Sequence, residues 1–143
     1  MADISKRYVL DSSALLAFLW DEAGAEAVED VLTEEGAELF MSAVNLGEVA
    51  YIVHRLCGEE AAAAVEAKVM ETPGLRVVDA TWERAKSAAR IKAEERLSFA
   101  DFFCAGLAQE KGATVVTCDR DFERLEREGK IAVLWLPLER RDA

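Results

Sequence analysis

Proline, cysteine and histidine are scarce in this sequence, and each scarcity removes a class of protein. With two prolines and no strongly polar or repetitive stretch, the chain is not one that stays disordered for want of a core. Its three cysteines, Cys57, Cys104 and Cys118, are widely separated and form no CxxC pair. Neither a disulfide framework nor a zinc ribbon is indicated, and buried reduced thiols are expected. A single histidine, His54, cannot furnish the nitrogen-rich zinc sites of many hydrolases, and is read as a surface or core residue in preference to a catalyst. There is no glycine-rich phosphate loop and no designed-looking Ser-His-acid set. No apolar run is long enough to span a bilayer, and charges at residues 1–7 occupy the place of a secretory signal's apolar core. A cytoplasmic chain without a membrane partner is expected.

Positive charge is also in deficit: 17 Lys and Arg against 28 Asp and Glu give a net charge of −11. Phosphate-binding surfaces normally draw on a basic face, so this balance counts against nucleic acid unless the excess acid has a use. A carboxylate cluster that takes divalent cations accounts for part of the excess, and plain solvation for another part.

What is present is enough apolar material for a core: 52% of 143 residues are hydrophobic, which suits one domain over residues 1–143. Short apolar runs at 8–10, 38–41, 75–78, 114–117 and 131–136 read as strands. Between them, helical patterns occupy 12–20, 23–32, 44–56, 59–71, 81–96, 99–111 and 119–127. This alternation predicts an α/β fold with a mainly parallel central sheet of four to five strands and helices on both faces. In such sheets, sites form beyond the carboxyl ends of the strands, where Asp11 and Asp119 both fall.

Four acids interrupt apolar sequence. Asp11 follows Tyr8-Val-Leu and precedes a helix, so it suits either a site or a helix N-cap. Glu48 has Val44 and Ile52 four residues away on its helix, which places a carboxylate on a core-facing stripe. Asp101 shares a face with Cys104, Ala105 and Ala108, yet its spacing from Ser98 also fits a capping box. Asp119, with Asp121 two residues on, ends an apolar strand and could equally cap the short helix after it. Four such acids exceed what capping needs. Like charges in a dry pocket raise one another's pKa, and a divalent cation resolves the conflict through oxygen ligands, with Mg²⁺ or Mn²⁺ preferred over zinc.

The segments Val9-Leu-Asp-Ser-Ser-Ala-Leu15, Asn45-Leu-Gly-Glu-Val49, Ser98-Phe-Ala-Asp-Phe-Phe-Cys-Ala105 and Val116-Thr-Cys-Asp-Arg-Asp-Phe122 resemble, in order and spacing, the four signature segments of PIN domains. The match spans nearly the whole chain, and its length resembles the VapC-type toxins of toxin–antitoxin pairs. That resemblance implies a Rossmann-like fold, a homodimer, and an Mg²⁺- or Mn²⁺-dependent endoribonuclease held in check by a cognate antitoxin. It assigns the metal site to Asp11, Glu48, Asp101 and Asp119, with Asp121 as a frequent further acid and Ser12 and Thr117 as small polar groups nearby. Metal-assisted attack of water on phosphorus would leave a 5′-phosphate and a 3′-hydroxyl.

Candidate RNA contacts are Arg120 beside the site and Arg55, then Lys68 and the run Arg84, Lys86, Arg90, Lys92 and Arg96, most of which reads as a solvated face. Core packing is the expectation for Trp20, Trp82 and Trp135. The apolar helices after Asp11 and Glu48 suit a dimer face and a groove for an amphipathic antitoxin segment. Competing readings are a PIN nuclease of RNA maturation or DNA flap processing, a non-catalytic PIN-like binding module, and a phosphoacceptor signalling domain. The complete set of four acids weighs against the module. The lack of a lysine near the end of the sheet weighs against the phosphoacceptor.

Overall fold

The computed structural model describes residues 6–92 and 97–138. Elements follow in the order β1 (Arg7–Leu10), α1 (Ser12–Leu19), α2 (Ala25–Leu32), β2 (Glu38–Ser42), α3 (Ala43–Cys57), α4 (Glu59–Met70), β3 (Leu75–Val78), α5 (Trp82–Lys92), α6 (Phe99–Lys111), β4 (Thr114–Thr117), a 3₁₀ turn (Arg120–Phe122), α7 (Glu123–Arg127) and β5 (Ala132–Trp135). Among the described residues five strands form one sheet in the order β3-β2-β1-β4-β5, and every pairing is parallel.

Alternation along the strands explains the layers. Val9, Phe40 and Val115 point to the face covered by α5, α6 and α7, where they meet Phe102, Leu107, Phe122 and Leu125. Tyr8, Leu10, Leu39 and Val116 point the other way, against α1 and α2 through Ala14, Val28 and Val31. Met41 extends that second face to α3 and α4, meeting Val49, Val53 and Val65. Helices therefore cover both faces, and the central strands are apolar between their end residues, as a sheet buried on both sides requires.

Chain direction reverses about β1: β2 and β3 lie to one side, β4 and β5 to the other. The crevice between the carboxyl ends of β1 and β4 is thus the switch point at which parallel α/β sheets place their sites. Asp11 N–H extends the ladder there, donating to Val116 O at 3.2 Å. The start of α6 faces the same end. Gly112, at φ 60° in left-handed conformation, closes α6 and turns the chain straight into β4, so the helix runs back along the sheet and begins above the carboxyl ends.

Several expectations need correction. The reading of helix over 81–96 holds for Trp82–Lys92, while 93–96, with Arg96, lie outside the described residues, as do residues 1–5. Residues 119–127 form a 3₁₀ turn and then a helix, because Asp119 caps the turn and Phe122 has to bury its ring. Of the thiols only Cys104 is buried; Cys118 is half-buried and Cys57 exposed. Cys57 continues the stripe of Val49 and Val53 by one more turn, but α1 has ended at Leu19 and leaves it facing an open groove. Trp20 and Trp82 are exposed too, Trp82 by 71%, with Lys86 Nζ 5.7 Å from its ring centroid.

Candidate active site

Asp11 is the most buried of the four acids, 2% exposed, at the junction of β1 and α1. Its extended backbone makes it the N-cap of α1, and its Oδ1 accepts from Ala14 N–H at 2.9 Å. The same oxygen accepts from Ser13 Oγ at 2.7 Å, and Oδ2 accepts from Thr117 Oγ1 at 2.5 Å. Those hydroxyls in turn accept from Cys118 N–H (3.1 Å) and Asp119 N–H (2.9 Å), the first amides beyond β4. Two orphan donors at the end of one strand are relayed in this way to the carboxylate at the end of its neighbour.

Ser13 is the residue that sequence reading missed. Ser12 points elsewhere: its hydroxyl donates to Asn45 O at 3.2 Å and accepts from Asn45 Nδ2 at 3.3 Å, which ties α1 to α3. Adjacent serines on a helix lie about 100° apart, so one can face β4 while the other faces α3. Either residue satisfies the sequence pattern. Thr117 stands where the resemblance put it, in contact with Asp11.

Glu48 sits half-buried on α3, which Ser42 starts by accepting from Val44 N–H at 3.2 Å. The fully buried stripe of α3 is Asn45, Val49 and Val53, so Glu48 lies at its border and not on it. It takes no hydrogen bond or ion pair among the described residues. Asp101 forms the capping box with Ser98: Asp101 N–H donates to Ser98 Oγ at 3.2 Å and Asp101 Oδ2 accepts from Ser98 N–H at 3.3 Å. Asp119 Oδ1 accepts from Asp121 N–H at 2.9 Å and so caps the 3₁₀ turn, while Asp121 itself is exposed.

The electrostatics bring these acids together. Burial pushes the Asp11 carboxyl up to about 6, against the pull of its bonds from Thr117, Ala14 and Ser13, and the Asp101 carboxylate adds to the rise. Burial likewise raises Asp101 to about 6 against its Ser98 bonds, and repulsion from Asp119 and Glu48 adds to it. The thiol of Cys104, beneath both, is pushed well up by burial and then by Asp11 and Asp101. None of the four acids has a salt bridge among the described residues.

Whether a cation suits this cluster depends on its free oxygens. A carboxylate has roughly four acceptor positions, and Asp11 spends three inside the protein, which leaves it a single further contact. Asp101 and Asp119 each keep one oxygen without a protein hydrogen bond. The donors are all hard oxygens, which fits Mg²⁺ or Mn²⁺. Among the described residues no three His, Cys, Asp or Glu side chains already stand close enough to hold one ion, so ligation would require the acids to rotate inward. Mutual repulsion among unneutralised carboxylates favours the open arrangement.

Of the candidate cations, Arg120 is held beside the site. Its guanidinium lies 4.4 Å from the centroid of the Trp135 ring and 3.8 Å from Glu123, and the indole N–H donates to Glu126 at 3.0 Å. Arg55 is exposed in the last turn of α3. Arg84 is bound to Glu110 and to the Asp79 carbonyl, and Lys92 to Leu97 O, which leaves their donors engaged elsewhere.

Comparison with known proteins places this geometry. The structure resembles that of Mycobacterium tuberculosis VapC20, a sarcin-ricin loop cleaving toxin, at 23% identity and TM-score 0.69, covering 82% of this chain and 93% of that one. It resembles VapBC2 from Rickettsia felis, solved on a promoter DNA fragment, at 15% identity and TM-score 0.73, covering 92% and 99%. DNA-bound VapBC from Salmonella typhimurium follows at 21% identity and TM-score 0.67, covering 90% and 96%. Likeness at these identities speaks to the fold. Comparison with curated protein sequences gives no match. Residues 8–128 match the PIN domain family, a stretch that contains all four acids, and the chain belongs to that family.

Proposed function

We propose that this chain is an Mg²⁺- or Mn²⁺-dependent endoribonuclease, the toxin member of a VapBC-type toxin–antitoxin pair, acting in the cytoplasm as one domain. The observation that carries the reading is the approach of Asp11, Asp119 and Glu48 to Asp101 at the β1/β4 switch point, with no lysine or arginine paired to any of the four among the described residues. A structural ion-pair network would contain its own cations. This cluster lacks them, which is the arrangement expected where the balancing charge arrives from outside.

Asp11, Asp101 and Asp119 would hold the ion, with Glu48 sharing it or orienting a water, and Asp121 stands by at the exposed margin. A bound divalent ion supplies an activated water and charge neutralisation at the scissile phosphate. The protein's own part is orientation. Ser13 and Thr117 hold the Asp11 carboxylate between α1 and β4, while Ser98 N–H and Asp121 N–H each engage one oxygen of Asp101 and Asp119 and leave the other to turn toward an ion. Arg120, stiffened against Trp135, and the exposed Arg55 are the candidates to meet RNA phosphates.

An antitoxin partner is supported by a groove of about 520 Å³ lined by Phe18, Trp20, Val53, Cys57, Val65 and Lys68. Its apolar walls, with Lys68 as the charged lining residue, suit an amphipathic segment. Likeness to the VapBC complexes supports the same partner class; the homodimer that the family resemblance implies would show in sedimentation at micromolar concentration. The function is tested by incubating the purified chain with RNA and Mn²⁺ or Mg²⁺, with and without chelator. Metal-dependent fragments ending in 5′-phosphate are expected, and absence of cleavage under all metals would overturn the proposal.

A further inference from the structure

Asn45 is fully buried, 0% exposed, in the first turn of α3, and its side chain touches the segments that carry three of the acids. Nδ2 donates to Ser12 Oγ at 3.3 Å, next to Asp11, and to Ala100 O at 3.2 Å, the carbonyl next to Asp101. Ser12 Oγ returns the bond, donating to Asn45 O at 3.2 Å. Glu48 follows three residues later on the same helix. The amide orientation is settled by chemistry, because the Ala100 carbonyl can only accept and must therefore face the NH₂ group. Oδ1 is buried with no hydrogen-bond partner among the described residues, an arrangement that core packing alone does not favour.

We infer that Asn45 is a positioning residue for the acidic cluster: a single amide that sets the spacing of the Asp11, Glu48 and Asp101 segments at one point. The hydrogen bonds of Asp11 link it to β4, and those of Asp101 stay within α6. Neither network connects α1 or α6 to α3. The Asn45 side chain supplies the link from α6 to α3 and adds a second bond to the one that Ser12 Oγ makes from α1 to the Asn45 carbonyl; without it α6 is held to α3 by apolar contacts among the described residues, which resist sliding far less than directional bonds do. The ends of these elements carry like charges that repel. A tie across them therefore opposes a force that tends to spread the site.

This inference rests on the metal-dependent reading, and its test is built to separate the two. Asn45→Leu keeps the volume and burial of the side chain while removing both bonds; Ser12→Ala removes one arm only. Mn²⁺ binding to each purified variant, followed by electron paramagnetic resonance, is compared with wild type and with Val65→Ala, a core truncation remote from the cluster. Asn45→Leu is expected to weaken Mn²⁺ about tenfold or more, as loss of a group that orients ligands does, and by more than Val65→Ala at equal loss of Tm. Ser12→Ala should show a smaller loss in the same direction, and it carries the test if Asn45→Leu does not fold. Wild-type affinity in Asn45→Leu, or in Ser12→Ala where the former is unfolded, overturns the role of Asn45. So does a loss that merely tracks Tm. A wild-type chain that binds Mn²⁺ without cutting RNA would instead overturn the ribonuclease and leave the bridge in place.

Discussion

Asp101 caps its helix through one oxygen and leaves the other to the proposed metal site, and a substitution can separate the two. Asn at this position still offers an oxygen to Ser98 N–H, so the capping box survives Asp101→Asn, while the charge is lost. Metal-dependent cleavage should fall on the order of 100-fold or more, with Tm unchanged or raised. The raised carboxyls also make stability depend on pH. In the folded chain Asp11 and Asp101 take up protons near 6, against an ordinary 3.8, so between those limits the folded state binds more protons than the unfolded one. Stability without metal should therefore increase as pH falls from about 7 to below 3.8, on the order of 3 kcal/mol from Asp11 over the whole span and less than half of that by pH 5. Thermal melts across that range check it, and a saturating divalent cation should abolish the increase. Acid loss of the Arg84–Glu110 pair comes lower, because that glutamate is held below its ordinary 4.5. At this scale the acids were legible as charges breaking apolar runs. Ser13 was not, since the strand that makes it matter is more than a hundred residues away, and Glu48 was read as deeper than it lies because the stripe shifts by one position.

Helix starts place three of the acids, so the caps carry structural weight. Ser98→Ala removes the hydroxyl that receives Asp101 N–H and should cost about 1 kcal/mol, read from denaturant midpoints. Gly112 holds φ 60° where α6 turns into β4, and Gly112→Ala should cost a further ~1 kcal/mol by the same assay, with the active site left intact at a temperature where the protein stays folded. Most elements were readable from periodicity because strands buried on both faces are short continuous apolar runs. Their ends were less so: β2 reaches Ser42 and α3 starts at Ala43, with no loop between them. Ser42 suits a helix N-cap by its sequence, but its hydroxyl caps the helix while its backbone ends the strand, so each element runs one residue past the expected 38–41 and 44–56.

At the scale of the molecule, a net charge of −11 means that an RNA substrate would be met by a few local cations against a repulsive background. Binding should therefore show a shallow salt dependence, with about two or three phosphates neutralised and a slope near −0.7 per contact for single strands. A steep slope would point to a basic surface that Arg55 and Arg120 do not provide. The switch-point location of the site followed from the order of strands and helices along the chain. A groove at the apolar helices after Asp11 and Glu48 was expected from the sequence, but not that Cys57 and Trp20 would line it, because they do so only through the early end of α1. The most direct test of the whole account is RNA cleavage by wild type and Asp101→Asn, side by side, titrated with Mn²⁺ and then chelated. Cleavage that needs the ion, stops with chelator and is lost in the variant is the predicted result; equal cleavage by both proteins, or cleavage that survives chelation, would contradict it.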